Sequence, residues 1–126
     1  MAFETAYLED LLDATRVTTD AEALDSHATD WGTETGSEPD VVVYPTETAE
    51  VTAVLAAASD RGVSVTPYAA GTSLEGNPVP VEGGISMDLT RMDEILDVRP
   101  EDLQMDVQPG VMGSALDPVA GKHGLF

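Results

Sequence analysis

The stretch from Pro67 to Pro80 reads "PYAAGTSLEGNPVP". The small residues Ala69, Ala70 and Gly71 run into the hydroxyls of Thr72 and Ser73. Gly76 follows, then Pro78 and Pro80. The run lacks the spaced apolar positions of a helix and the bulk of a core strand. The prolines after Gly76 bar a long helix there. This is a loop of bare backbone and hydroxyls, and its surroundings decide the fold.

Upstream, "VVVYP" (41–45) is a short apolar run stopped by Pro45, the pattern of a strand buried on both faces. Thr46 offers an N-cap, and Glu47 and Glu50 fall where the helix dipole favours anions. Val51, Val54, Leu55 and Ala58 mark one helical face, and Gly62 closes the helix as a C′ residue. "VSVTP" (63–67) follows as the next strand. Strand, helix, strand in this order is a βαβ unit with parallel strands. The loop therefore leaves the carboxyl end of a parallel strand, where open α/β sheets bind ligands.

Downstream of Gly83 and Gly84, Ile85, Met87 and Leu89 alternate with polar residues. Ile95 and Val98 lead to a turn at Pro100, Glu101 and Asp102, after which Leu103, Met105 and Val107 alternate again. The pattern predicts two or three antiparallel strands with a hairpin near residue 100. Asp117 and Pro118 form an N-cap and N1 pair for a short C-terminal helix. At the other end, Phe3, Tyr7, Leu8, Leu11 and Leu12 predict an amphipathic helix from residue 3 to about residue 15. The segment through "DSHATDWGTETGSEPD" reads as a polar loop, with structural or surface roles expected for His27 and Trp31. The expected fold class is α+β, divided into an N-terminal helix and loop (1–38) and the βαβ unit, antiparallel strands and short helix (39–126).

The chain has 126 residues, enough for one domain with one core. Lys and Arg number 5 against 24 Asp and Glu, a net charge of −19. Such a surface repels nucleic acid and anionic membranes. The acids are scattered and lack EF-hand spacing, so they read as a solvated shell and not as a metal site. Few lysines among many scattered carboxylates fit adaptation to high salt, where screening relieves self-repulsion. The absence of cysteine excludes disulfides, thiolate catalysis and iron–sulfur ligation. No apolar run approaches the ~18 residues of a membrane span. The N-terminus "MAFETAYLED" is acidic, unlike a signal peptide, so the expected location is cytoplasmic.

Glycines let backbone N–H groups converge on an anion, and hydroxyls add donors. Two known phosphate loops fail here. A Walker A loop needs Lys and Ser or Thr after its second glycine, but Asn77 and Pro78 follow Gly76. The G-x-G-x-x-G triple that opens a helix is absent too. On composition alone the loop is either an anion cradle or a plain tight turn.

Three segments together, "PYAAGTSLEG", "GGISMDLTRMDEILDVRPEDLQMDVQPGV" and "HGLF", resemble the FAD-linked oxidases of the vanillyl-alcohol oxidase and p-cresol methylhydroxylase superfamily. Within it the resemblance points to the branch of glycolate oxidase and D-lactate dehydrogenase. It runs from about Pro39 to Phe126, and less clearly through the N-terminal helix. It implies that Tyr68, Ala69, Ala70, Gly71, Thr72 and Ser73 wrap the FAD pyrophosphate, largely through backbone amides. Gly76 would shape the loop, and Pro109, Gly110 and Val111 would lie against the same cofactor. Ala69 and Ala70 stand where family members often have glycines, and a left-handed backbone there would carry strain. Glu75 is expected to point outward, away from phosphate. The loop has no histidine and the chain no cysteine, so the FAD is expected to be non-covalent. His123 is expected to pack at a helix end.

In that family the FAD domain continues past "HGLF", and a cap domain supplies the substrate pocket and catalytic groups. The resemblance thus implies the FAD-binding portion of an oxidoreductase acting on a 2-hydroxy acid such as D-lactate or glycolate. No catalytic residue is expected in this chain, which should be inactive alone. Expected partners are FAD and either the remainder of the flavoprotein or a second polypeptide. A different reading is a non-catalytic acidic domain that pairs with a second polypeptide through an uncovered apolar face.

Overall fold

The computed structural model describes residues 2–126. Helix α1 (Ala6–Leu11) leads through a 3-10 turn (Ala14–Arg16) to strand β1 (Val17–Thr18) and helix α2 (Ala21–Ser26). Then come β2 (Val41–Val43), helix α3 (Thr48–Arg61), β3 (Val65–Tyr68) and β4 (Ile85–Asp88). A hairpin of β5 (Ile95–Arg99) and β6 (Gln104–Val107) precedes helix α4 (Gly113–Gly121). The main sheet has the order β1-β2-β4-β3. Strands β2, β4 and β3 run parallel, and β1 lies antiparallel on the edge. The fold is α+β, as the pattern predicts.

The sheet differs from expectation in one respect. The alternation of Ile85, Met87 and Leu89 assigns this segment to the antiparallel set. Instead Ile85–Asp88 inserts between β2 and β3 and pairs with both in parallel. All four β4 residues are buried, including Ser86 and Asp88. Parallel pairing demands a long crossover, commonly a helix. Here the crossover from β3 to β4 is the irregular segment 69–84 itself.

Helix α3 forms as read but is capped differently. Its N-cap is Glu47, without a side-chain bond. Thr46 acts one residue earlier: its amide and hydroxyl donate to Glu50 Oε1 at 3.0 and 2.7 Å. Arg16 holds the same carboxylate, Nη1 to Oε1 at 2.8 Å and Nη2 to Oε2 at 2.5 Å. This fork draws the Glu50 pKa down to about 2, with the Thr46 bonds assisting against burial. At the other end Gly62 is left-handed. The Val63 amide donates to the Ala58 carbonyl and the Gly62 amide to the Ser59 carbonyl, the two bonds of a Schellman cap.

Further differences lie at the chain ends. Helix α1 stops at Leu11 because Asp13 Oδ1 accepts the Thr15 amide at 2.9 Å, an alternative to continuing the helix. The segment read as a polar loop contains α2. Helix α4 begins at Gly113, not Pro118, and carries Pro118 inside. The hairpin turns at Pro100–Asp102 as predicted, with Leu103 in the left-handed region at φ 56°. Arg99 staples it, reaching Asp97 at 2.7 Å and both Asp106 oxygens at 2.8 Å.

One core joins these elements. Leu8 and Leu12 of the N-terminal segment pack with Val41, Val43, Val54, Ala58, Ile85 and Met87. Each buried Leu or Val side chain contributes about 1.5–3 kcal/mol. The core lies between the sheet and the α1–α3 pair, and it fixes the carboxyl ends of β2, β4 and β3 side by side.

Candidate functional site

Those carboxyl ends carry Tyr44, Asp88 and Tyr68. His27, at the end of α2, sits among them. Its ring centroid lies 4.3 Å from that of Tyr68 and 6.1 Å from that of Tyr44. His27 and Asp88 are both buried. Asp88 is fully engaged: Oδ2 faces His27 Nε2 at 2.7 Å, and Oδ1 accepts the Thr90 amide and hydroxyl at 2.9 and 2.5 Å. Burial alone would raise its pKa, but the bonds from His27 and Thr90 win and lower it.

The loop leaves from Tyr68, whose carbonyl accepts the Leu89 amide at 2.9 Å. Beyond this point the pairing ends. Among the described residues, the amides of Ala69, Ala70, Gly71, Thr72, Ser73 and Leu74 donate to no protein acceptor. Ala70, Thr72, Leu74 and Glu75 are exposed, so the segment is wet and accessible. A run of unpaired N–H groups next to a parallel strand end can only bond water or a ligand.

Gly71 shapes the run. Its φ is +66°, and a Cβ there would lie 2.4 Å from the Tyr68 hydroxyl oxygen. Only glycine admits both the left-handed turn and that close approach. Ala69 and Ala70 keep negative φ, so they carry no left-handed strain.

The far limb of the loop is bound differently. Gly76 donates to Asp30 Oδ2 at 2.7 Å, and Asp30 Oδ1 accepts the Gly32 amide at 3.0 Å. A Cβ on Gly32 would lie 2.1 Å from the Leu74 carbonyl oxygen, so the loops around residues 32 and 74 are in backbone contact. The Thr33 hydroxyl foremost, with the amides of Gly76 and Gly32, holds the Asp30 pKa down to about 2 against burial. Ser73 has one proton for two nearby acceptors, and the 2.6 Å bond to Asn77 Oδ1 takes it.

The N–H groups of the segment Pro109–Val111, unlike those of this run, are engaged. Gly110 is buried against the turn after β4, its amide on the Met92 carbonyl at 2.9 Å, and the Val111 amide donates to Gln108 at 3.2 Å. These donors are already used, so this segment can offer a ligand surface but not those amides. His123 is exposed at the end of α4. A 660 Å³ cleft lined by Thr15, Ser26, Tyr44 and Arg91 lies beside α2, not at the loop. No group of three His, Cys, Asp or Glu among the described residues is arranged to hold a metal ion. No described helix is long and apolar enough to cross a membrane.

Asp30 and Asp88 escape the sequence reading. The local signal for Asp30 is its spacing from Gly32, an Asx turn. Nothing local links it to Gly76.

A run of free amides at the carboxyl edge of a parallel sheet is the kind of surface on which open α/β folds hold dinucleotide phosphates. Residues 39–126 match the FAD binding domain family; the chain belongs to that family, and its cofactor is FAD. Mitochondrial D-lactate dehydrogenase [cytochrome] of Arabidopsis thaliana is 33% identical over 88 residues, covering 70% of this chain and 16% of that protein. Glycolate oxidase subunit GlcD of Escherichia coli is 37% identical over 90 residues, covering 71% of this chain and 18% of that protein. The chain therefore spans less than a fifth of these relatives. Among solved structures, alkyldihydroxyacetonephosphate synthase superposes with a TM-score of 0.81 at 24% identity, covering 94% of this chain and 26% of that one. p-Cresol methylhydroxylase superposes at 0.80 with 21% identity, covering 94% and 24%. At such identity these two carry the fold alone.

Proposed function

We propose that this chain is the diphosphate-holding part of an FAD-linked oxidoreductase acting on a 2-hydroxy acid such as D-lactate or glycolate. The observation that carries the reading is the run of unpartnered amides from Ala69 to Leu74. Each N–H aimed at a charged oxygen contributes about 1.5–3 kcal/mol net, so several hold a pyrophosphate without a lysine. Tyr68, Ala69, Ala70, Gly71, Thr72 and Ser73 are the residues assigned to the phosphates, with Gly76 shaping the loop. Pro109, Gly110 and Val111 contribute packing surface. FAD, when bound, supplies the hydride acceptor for oxidation of the hydroxyl-bearing carbon. The chain spans less than a fifth of the relatives named above, and on this reading it does not turn over either acid by itself. The loop has no histidine and the chain no cysteine to link the flavin, so the cofactor is held non-covalently.

The test is titration of the purified chain with FAD, ADP and riboflavin. ADP competing with FAD, and riboflavin failing to bind, locate recognition at the diphosphate. FAD reduction by D-lactate or glycolate with this chain alone would overturn the claim of inactivity.

A second reading rests on a different surface. Leu96, Leu103, Met112 and Phe126, on the hairpin and around α4, are all more than half exposed. On this reading the chain pairs with a second polypeptide through that face. Sedimentation of the chain mixed with a candidate partner separates the two readings, because a pairing module binds with or without FAD.

A further inference from the structure

We infer that Asp30 is the positioning residue of the cofactor loop: its carboxylate ties the far limb of the loop to the N-terminal segment and so holds the run of free amides in one arrangement. The inference rests on the FAD reading of the loop given above, and it assigns a role to a residue outside the matched span 39–126.

The open run is strung between two fixed points. The near point is Tyr68, locked by the sheet through the Leu89 amide. The far point is Gly76, left-handed at φ +78°, whose amide donates to Asp30 Oδ2 at 2.7 Å. Asp30 is itself held, with Oδ1 on the Gly32 amide at 3.0 Å and only 9% of its surface exposed. Gly32 in turn touches the Leu74 backbone. A loop of small residues has little packing of its own, so without this tie the amides would sample many directions. A carboxylate beside a phosphate site is otherwise unfavourable, since like charges repel. Here its oxygens are taken up by the Gly76 and Gly32 amides and the Thr33 hydroxyl, so its effect on a ligand is exerted through the loop.

That contrast gives an experiment with opposite signs. Asp30→Asn removes a negative charge near the diphosphate, so a purely electrostatic role predicts tighter binding. It also places an amide donor among N–H groups, so a positioning role predicts weaker binding. Asp40→Asn is the control. Asp40 Oδ2 accepts the Gly84 amide at 2.7 Å, an equivalent bond at the opposite end of the parallel strands.

ADP and FAD would be titrated by calorimetry into the full chain and both variants, with amide NMR spectra of each without ligand. The expected result is ADP and FAD affinity about tenfold lower for Asp30→Asn, and unchanged for Asp40→Asn. The Gly76 amide and the amides of residues 69–74 should shift in Asp30→Asn alone. Asp30→Glu keeps the charge on a longer arm and should fall between; it serves if Asp30→Asn does not fold. Equal or tighter binding by Asp30→Asn would overturn the inference, as would a loop amide spectrum unchanged from the parent. Failure of the parent chain to bind FAD or ADP would sink the FAD reading itself, while the spectra would still decide whether Asp30 orders the loop.

Discussion

His27 Nε2 lies 2.7 Å from Asp88 Oδ2, while its Nδ1 lies 2.8 Å from the Ala23 carbonyl. The carboxylate accepts, so Nε2 donates to it, while Nδ1 lies between the Ala23 carbonyl and the Ser26 hydroxyl at 3.1 Å; the Asp88 and Ala23 bonds favour the imidazolium form. Burial opposes this charge, but the Asp88 and Ala23 bonds prevail and raise the His27 pKa above 6.5. Its stabilisation is complete below pH 6.5 and is lost as pH rises through the raised value. Asp88 is shifted below 3.8, so its share is present above pH 3.8 and lost as pH falls through the lowered value. Asp88→Asn should therefore cost about 3 kcal/mol near pH 5 and less near pH 9. Denaturant titrations at both pH values check this; an equal loss at both would rule out the charged pair.

Gly71→Ala should damage the loop directly. The added methyl meets the Tyr68 hydroxyl at 2.4 Å in a left-handed backbone. The strain is about 1–2 kcal/mol, which corresponds to roughly tenfold weaker ADP binding if the loop relaxes to relieve it. Gly121→Ala is the companion variant, because a Cβ there meets nothing within 4 Å. It should leave ADP affinity alone, and equal affinities for both variants would count against the loop as the site.

Salt should strengthen both the fold and cofactor binding. The chain's net charge is −19, and Asp30 holds the Gly76 end of the loop while Glu75 lies exposed within it. Screening at about 1 M salt shortens the Debye length to about 3 Å and removes most long-range repulsion. The melting temperature and the FAD affinity should both rise from about 0.1 M to about 1 M sodium chloride. A melting temperature flat across that range would contradict an acidic shell suited to high salt.

Leu103→Gly should stabilise the hairpin. Leu103 has φ 56° and is 75% exposed, so strain is relieved with little burial lost. Left-handed strain of about 1–2 kcal/mol outweighs the flexibility glycine adds to the unfolded chain, about 0.5–1 kcal/mol. Thermal melts should show a small gain; a loss would mean that the Leu103 side chain packs more than its exposure indicates.

The parts of this fold legible in the sequence are those fixed by neighbours in the chain. Pro45 ends β2, Gly62 caps α3, and Pro100–Asp102 turns the hairpin, each through its own backbone limits. Strand β4 is misread from sequence because Ser86 and Asp88 look like solvent-facing positions. Ser86 is buried without a partner for its hydroxyl, and Asp88 is buried because His27 neutralises it from afar. Helix α2 is hidden because Ala21–Ser26 contains no fully buried residue to give it an apolar stripe. The small-residue loop is legible as a loop from its composition. The side chains at its two ends, His27 against Tyr68 and Asp30 on the Gly76 amide, act across long sequence separations that no local pattern encodes.

Strand β4 lies between β2 and β3 yet follows both in the chain. As the polypeptide emerges from the ribosome, its first two parallel strands stand apart by about twice the ~4.8 Å strand spacing, with no ladder between them. Nothing can bridge them until Ile85–Asp88 arrives, and by then the whole of 69–84 has been laid across the sheet's edge. The sheet therefore closes only with the segment 69–84 already in place, and a nascent chain halted short of residue 85 should remain open to protease where one a few residues longer, clear of the exit tunnel, is protected.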